Sequence, residues 1–173
     1  MKRNLTAFLT ITFFLILSQI NAEVKLPAIF GDNMVLQQQS DAAIWGTSAA
    51  NKTVKVTTSW DKKSYSTKAD SEGNWKLKVK TPSAGGPFSI TISDGKTLKL
   101  SNVLIGEVWV CSGQSNMAMS VDRAYDPDLE ILTAKYPNIR LISVPQVGTQ
   151  EPQNDFKGEW AAATPETVGS FSA

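Results

Sequence analysis

The sequence predicts two domains of different architecture: a small antiparallel β-sandwich or jelly roll over residues 23–103, and the start of an α/β domain with a parallel sheet over residues 104–173. Short alternating segments separated by turn residues fill the first region. A strand, a helix and a second strand follow, which is typical of a right-handed βαβ unit. These elements are too few to cover both faces of a parallel sheet, so we expect the second domain to be incomplete.

The N-terminal 22 residues have the order of a secretory signal peptide. Lys2 and Arg3 precede an apolar run from Ala7 to Leu17, and the small residue Ala22 follows a short polar stretch. The alternative, a membrane anchor, is disfavoured because the run is well short of the ~20 residues that span a bilayer. We therefore expect cleavage after Ala22, export to the periplasm or the extracellular space, and no membrane association of the mature protein.

The composition is that of an ordinary globular protein, with 42% hydrophobic and 19% charged residues. Seventeen Lys and Arg balance sixteen Asp and Glu, and no block of like charge indicates a nucleic-acid partner. The single cysteine, Cys111, cannot form an internal disulfide. The chain contains no histidine, so it lacks the usual general base of serine catalysis.

Three segments of the first region predict strands most clearly. Thr53–Trp60 is rich in β-branched residues, and Asn74–Lys80 (NWKLKVK) alternates apolar and lysine side chains. Between Phe88 and Leu100, two alternating runs flank Asp94-Gly95, which predicts a hairpin with a two-residue type I′ turn.

The second region predicts a different order of elements. The nearly continuous apolar run Leu104–Cys111 suits a strand buried on both faces. Asp126 and Pro127 take the N-cap and first positions of a helix that Pro137 stops. Ile139–Val144 then predicts a second, parallel strand, and residues 146–167 are expected to form a loop.

The turn after the first strand of this region holds the candidate chemistry. In open α/β sheets, ligands bind at the carboxyl ends of strands, and Cys111–Met117 (CSGQSNM) occupies that position. Gly113 permits a tight backbone path, and Ser115 can present its hydroxyl there. A helical turn beginning at Ser115 would offer free N–H groups to an oxyanion. The alternative, a turn-forming or capping serine, stays open at this point.

A longer stretch around this turn carries a family resemblance. GEVWVCSGQSNM, Gly106–Met117, resembles the nucleophile block of the bacterial sialate O-acetylesterase family, among the SGNH-like hydrolases. Five further motifs resemble that family in the same order: GDNMVLQQ at 31–38, Trp45-Gly46, DSEGNW at 70–75, YPNIRL at 136–141, and the closing FSA. The resemblance runs from about residue 24 to the end of the chain.

The resemblance implies that Ser115 is the nucleophile that attacks an acetyl carbonyl, and that its backbone N–H contributes to the oxyanion hole. It implies further oxyanion donors and an Asp and His pair from later blocks, and no metal or organic cofactor. The implied substrate is an acetylated sugar, either a sialic acid or a related glycan, with acetylated xylan as the rival. Because the chain has no histidine, we expect it to be catalytically silent as it stands.

Other residues have competing interpretations. Glu107 is either an acid catalyst or a hydrogen-bonded strand end, and Cys111 is either a second nucleophile or a small core residue. Met117 and Met119 are expected to pack beneath the site. The tryptophans of the first region are either core residues or a sugar-stacking platform; they are Trp45, Trp60 and Trp75. The platform would make the protein a non-catalytic glycan-binding module.

Overall fold

A computed structural model describes residues 23–172, and the expected signal peptide at 1–22 lies outside the described residues. The described part contains nine strands, one α-helix and two 3₁₀ turns. The strands are β1 (Val35–Gln37), β2 (Asp41–Thr47), β3 (Thr53–Thr58), β4 (Ser64–Lys68), β5 (Asn74–Lys80), β6 (Gly85–Ser93), β7 (Thr97–Gly106), β8 (Tyr136–Leu141) and β9 (Ala161–Ala163). The 3₁₀ turns are Ser115–Ala118 and Val121–Arg123, and the helix α1 is Pro127–Thr133.

The strands form three sheets. A five-stranded sheet has the order β1-β7-β6-β3-β4, in which β1 pairs with β7 in parallel and the other neighbours are antiparallel. Strands β2 and β5 form an antiparallel pair, as do β8 and β9. The first two sheets bury side chains in one hydrophobic cluster, with Ile44 and Val79 from the pair and Val56, Ile90 and Val103 from the larger sheet. The β-rich architecture is therefore confirmed.

Strand β5 has the bounds that the alternation predicts. Trp75 and Val79 are buried in the core, whereas Lys76, Lys78 and Lys80 are exposed. A period of two places successive side chains on opposite faces of a strand, so one face of this segment packs and the other is solvated. Strand β3 likewise lies within the predicted Thr53–Trp60 segment.

The predicted hairpin exists, but its turn is longer than expected. Ser93 pairs with Thr97, so Asp94, Gly95 and Lys96 form a three-residue loop instead of a two-residue type I′ turn. The Asp94 carboxylate accepts hydrogen bonds from the Lys96 N–H at 3.3 Å and from Ser48 Oγ at 2.6 Å. These bonds stabilise the wider loop, and Gly95 supplies its positive φ of 122°.

The predicted strand Leu104–Cys111 is wrong beyond Gly106. Leu104 and Ile105 belong to the end of β7, which crosses the predicted domain boundary at residue 103, and residues 107–114 lie in no strand. The side chains of Trp109 and Val110 are 83% and 91% exposed. An apolar run forms a buried strand only where neighbouring strands supply hydrogen bonds, and β1 ends at Gln37, opposite Gly106.

The predicted parallel βαβ unit is also wrong in this structure. The helix begins as expected, with Asp126 at the N-cap and Pro127 at its first position, but it ends at Thr133. Pro137 lies inside β8, which pairs antiparallel with β9. The predicted loop at 146–167 thus contains a short strand, and this strand gives β8 a partner that the unformed strand at 108–111 does not provide.

Within residues 23–172, no helix has the length and apolar character needed to cross a membrane.

Candidate functional site

Ser115 lies at the first position of a short helical turn. Gln114, with φ of −100° and ψ of −160°, precedes the 3₁₀ turn Ser115–Ala118 in an extended conformation. The turn is closed by the Met117 N–H, which donates to the Gln114 carbonyl at 2.9 Å. The Ser115 side chain is exposed, so the structure places this hydroxyl within reach of a substrate in solution.

A glycine at position 113 lets the Met117 side chain approach the backbone before the serine closely. A Cβ added to Gly113 would lie 2.5 Å from Cγ of Met117, far inside van der Waals contact. The half-buried Met117 side chain therefore packs directly on the Gly113 backbone, which agrees with the predicted packing role of Met117. Met119 does not share that role, because 54% of its surface is exposed.

Glu107 ties the start of this segment to β1. Its carboxylate accepts hydrogen bonds from Gln37 Nε2 at 2.9 Å and from Gln38 Nε2 at 2.7 Å. The Val108 N–H in turn donates to Gln37 Oε1 at 2.9 Å. The bond from Gln37, and then that from Gln38, hold the pKa of Glu107 below its ordinary value. An acid catalyst must carry a proton, so these contacts favour the hydrogen-bonded strand end.

Residues near the end of the described chain form hydrogen bonds with the segment that follows Ser115. The Val121 N–H donates to the Phe171 carbonyl at 3.0 Å, and the Asp122 N–H donates to the Gly169 carbonyl at 3.0 Å. The second 3₁₀ turn is thereby fixed by residues more than forty positions away. The FSA motif, singled out only by family resemblance, thus contacts the region that follows Ser115.

A groove of about 650 Å³ lies between the end of β7 and strand β8. Leu104, Glu107, Trp109 and Arg140 line it, as does Cys111. Cys111 is exposed, so the interpretation of this thiol as a small core residue is wrong. Burial of Cys111 was expected because the sequence placed it on a buried strand, and that strand does not extend beyond Gly106. Ser115 is not among the groove's lining residues.

Arg140 joins the two regions of the chain, a role that the sequence patterns did not indicate. Its Nη1 and Nη2 donate to Oδ1 of Asn33 at 3.3 Å and to Oδ1 of Asn102 at 3.4 Å. Asn102 Nδ2 also donates to Asn33 Oδ1 at 2.7 Å. Both asparagines have positive φ values, of 67° and 55°, which asparagine tolerates better than most residues. Burial lowers the pKa of the Arg140 guanidinium, which nevertheless stays protonated.

The structure separates the three tryptophans of the first region. Trp75 is 3% exposed and belongs to the core, and Trp60 packs against it while its Nε1 donates to the Lys80 carbonyl at 2.9 Å. Trp45 differs because 38% of its surface is exposed. The core interpretation therefore holds for two of the three residues.

The site has a candidate nucleophile but lacks a candidate base. Within residues 23–172, the Ser115 hydroxyl makes no side-chain hydrogen bond, and the whole sequence has no histidine. A serine hydroxyl is a weak nucleophile until a neighbouring base takes its proton. The arrangement can therefore present a hydroxyl to an ester but cannot activate it with the residues described.

Comparisons with known proteins identify relatives of this chain. The human sialate O-acetylesterase is 32% identical over 160 residues, which cover 84% of this chain and 30% of that protein. The rat sialate O-acetylesterase is 34% identical over 157 residues, covering 82% of this chain and 29% of that protein. The chain thus spans about a third or less of the length of these relatives. No family model matches the chain.

A solved structure agrees with the sequence relatives. A carbohydrate acetylesterase from Xanthomonas citri superposes with a TM-score of 0.81 and 35% identity, covering 87% of this chain and 35% of that one. The fold thus resembles that of a carbohydrate acetylesterase. The sequence relatives that match this chain are sialate O-acetylesterases.

Proposed function

We propose that the complete protein is a carbohydrate O-acetylesterase and that this chain supplies its nucleophile, Ser115. The observation that carries the proposal is the exposed GQSNM turn in a chain 32–34% identical to sialate O-acetylesterases. The substrate is an acetylated sugar, and we propose a sialic acid. The Asp and His pair, and the remaining oxyanion donors, come from residues outside this chain. The bacterial origin stays a prediction.

The proposed reaction proceeds in two steps. Ser115 Oγ attacks the acetyl carbonyl, loses its proton to the histidine, and forms acetyl-serine, while the sugar oxygen leaves with a proton. Water then attacks the acetyl-serine and releases acetate and the free serine. The Ser115 backbone N–H contributes to the hole that stabilises the oxyanion. The proposed reaction uses no metal and no organic cofactor.

We propose that residues 104–173 begin an SGNH-like α/β domain that follows a jelly-roll domain at 23–103. The large exposed apolar side chains of residues 108–147 support this, because such residues are normally buried. They are Val108, Trp109, Val110, Met119, Tyr125, Leu129, Leu132, Tyr136, Ile139, Val144 and Val147. We also propose that residues 1–22 direct export to the periplasm or the extracellular space.

The test uses the complete protein and the variant Ser115→Ala. We expect Ser115→Ala to reduce hydrolysis of an aryl acetate by about 10⁴-fold or more, since the triad acts as a unit. Ser112→Ala is the matched control, because Ser112 is an exposed serine of the same segment. Full turnover in Ser115→Ala would end the assignment of the nucleophile.

A comparison of two acetylated sugars, made with the same complete protein, distinguishes the possible substrates. Release of acetate from 9-O-acetyl sialic acid and from acetylated xylan is compared at equal ester concentration. Faster release from the sialic acid supports the proposed substrate, and faster release from xylan indicates an acetyl xylan esterase. No release from either ester, together with no aryl acetate hydrolysis, would indicate a glycan-binding module without catalysis.

A further inference from the structure

We propose that the face of the β region around Trp45 is a binding site for a neutral pyranose chain, separate from the Ser115 turn. Trp45 lines a groove of about 720 Å³ in this face. Pro27, Asn154 and Asp155 also line it. No residue between 107 and 123 lines this groove, so the surface is distinct from the candidate esterase site.

The Trp45 ring is held in place before any ligand binds. It packs edge-to-face with Phe30, with ring centroids 4.5 Å apart and an interplanar angle of 81°. Lys76, its partner across the β2–β5 pair, places its ammonium 6.0 Å from the ring centroid. The lysine lies over the ring, and Trp45, still 38% exposed, offers apolar contact area at little entropic cost.

Polar groups line the same groove as this ring. The Asp155 carboxylate is oriented by the N–H groups of Ala28, at 2.7 Å, and Phe156, at 2.8 Å, and both donate to Oδ1. Its second oxygen, the exposed Asn154 amide and the Lys76 ammonium can each bond a hydroxyl. A few convergent polar groups beside an aromatic surface are typical of small-molecule sites.

Charge indicates which kind of sugar fits. Lys25 and Lys76 in the groove are balanced by Asp70 and Asp155. The groove has no excess of cations that would attract a carboxylate, so a neutral pyranose is favoured over an acidic one. The carbohydrate class of the ligand rests on the proposed function, whereas the position and the neutrality rest on the groove.

The test is titration calorimetry of the full chain with xylohexaose, a neutral oligosaccharide without acetyl groups. We expect Trp45→Ala to weaken binding by about tenfold or more, as truncation of an aromatic anchor does. Trp45→Phe retains an aromatic ring and should lose less. Lys76→Ala should weaken binding, whereas Lys78→Ala should not, because Lys78 is exposed on the same face of β5 but lies outside the groove.

Each result bears on the proposal. If Trp45→Ala fails to fold, Asn154→Ala and Lys76→Ala decide, because both replace exposed side chains. Absence of binding to xylohexaose, tighter binding of 3′-sialyllactose, or equal effects of Lys76→Ala and Lys78→Ala would overturn it. Because xylohexaose carries no ester, a failure here is separate from a failure of the Ser115 assignment.

Discussion

Single side chains determine the path of the backbone between β7 and Ser115. Gln37 and Gln38 bind both carboxylate oxygens of Glu107, and Gln37 also accepts the Val108 N–H. Gly113 then lets the chain pass against Met117. Glu107 and Gly113 thus determine the path of the backbone. Ser115 is the residue of this segment to which we assign a chemical role.

Gly113→Ala should destabilise the turn because the new Cβ would meet Met117 Cγ at 2.5 Å. We expect a loss of about 1 kcal/mol in the free energy of unfolding, the lower range for overpacking, measured by urea denaturation. Gly148→Ala is the matched control, because a Cβ there would meet nothing within 4 Å.

Shortening the opposing side chain tests the cause of this loss. Met117→Ala removes the atom that the new Cβ would meet, so Gly113→Ala should cost less in that background than in the unaltered chain. Equal costs in both backgrounds, or a Gly148→Ala variant as unstable as Gly113→Ala, would contradict the contact.

At the scale of elements, the sequence predicts a segment's structure when the residues that determine it are close in sequence. The alternation in Asn74–Lys80 predicts β5 because a strand with one buried face carries its own period of two. The apolar run 104–111 does not predict its structure, because a strand buried on both faces needs neighbours from elsewhere. The helix start at Asp126 and Pro127 depends on adjacent residues, and it was predicted correctly.

Val79→Ala should reduce the free energy of unfolding by about 2 kcal/mol, because the Val79 side chain is buried and its removal leaves a cavity. Lys78→Ala, on the opposite face of β5, should change it by about 0.5 kcal/mol or less. Urea denaturation of both variants measures the difference. Similar losses would mean that the two faces of β5 are not distinguished by burial.

At the scale of the whole molecule, two sets of contacts connect residues distant in sequence. Arg140 on β8 bonds Asn33 and Asn102 of the first region, and Trp160 Nε1 donates to the Ile29 carbonyl at 2.9 Å. The second set joins the closing residues to the 3₁₀ turn after Ser115. The first set attaches the proposed esterase segment to the β region, and the second joins two parts of that segment to each other.

Arg140→Ala should weaken the attachment of strands β8 and β9 to the β region, while the hydrogen bond from Trp160 to Ile29 remains. We expect amide hydrogen exchange in Tyr136–Leu141 and Ala161–Ala163 to accelerate by about tenfold, which corresponds to the loss of about 1.4 kcal/mol. Exchange in β5 should stay unchanged. Lys135→Ala, an exposed cation next to β8, is the control for charge. Unchanged exchange in β8 after Arg140→Ala would show that the guanidinium does not connect the two regions.

The sequence by itself determined the features that neighbouring residues specify. These are the alternating strands, the β6–β7 hairpin and the start of α1. Tertiary structure decided the length of the hairpin loop, the end of β7 at Gly106 and the antiparallel pairing of β8 with β9. It also distinguished exposed Trp45 from buried Trp75. The reason is physical: periodicity and turn chemistry act over a few residues, whereas burial and strand pairing depend on partners that the fold brings together.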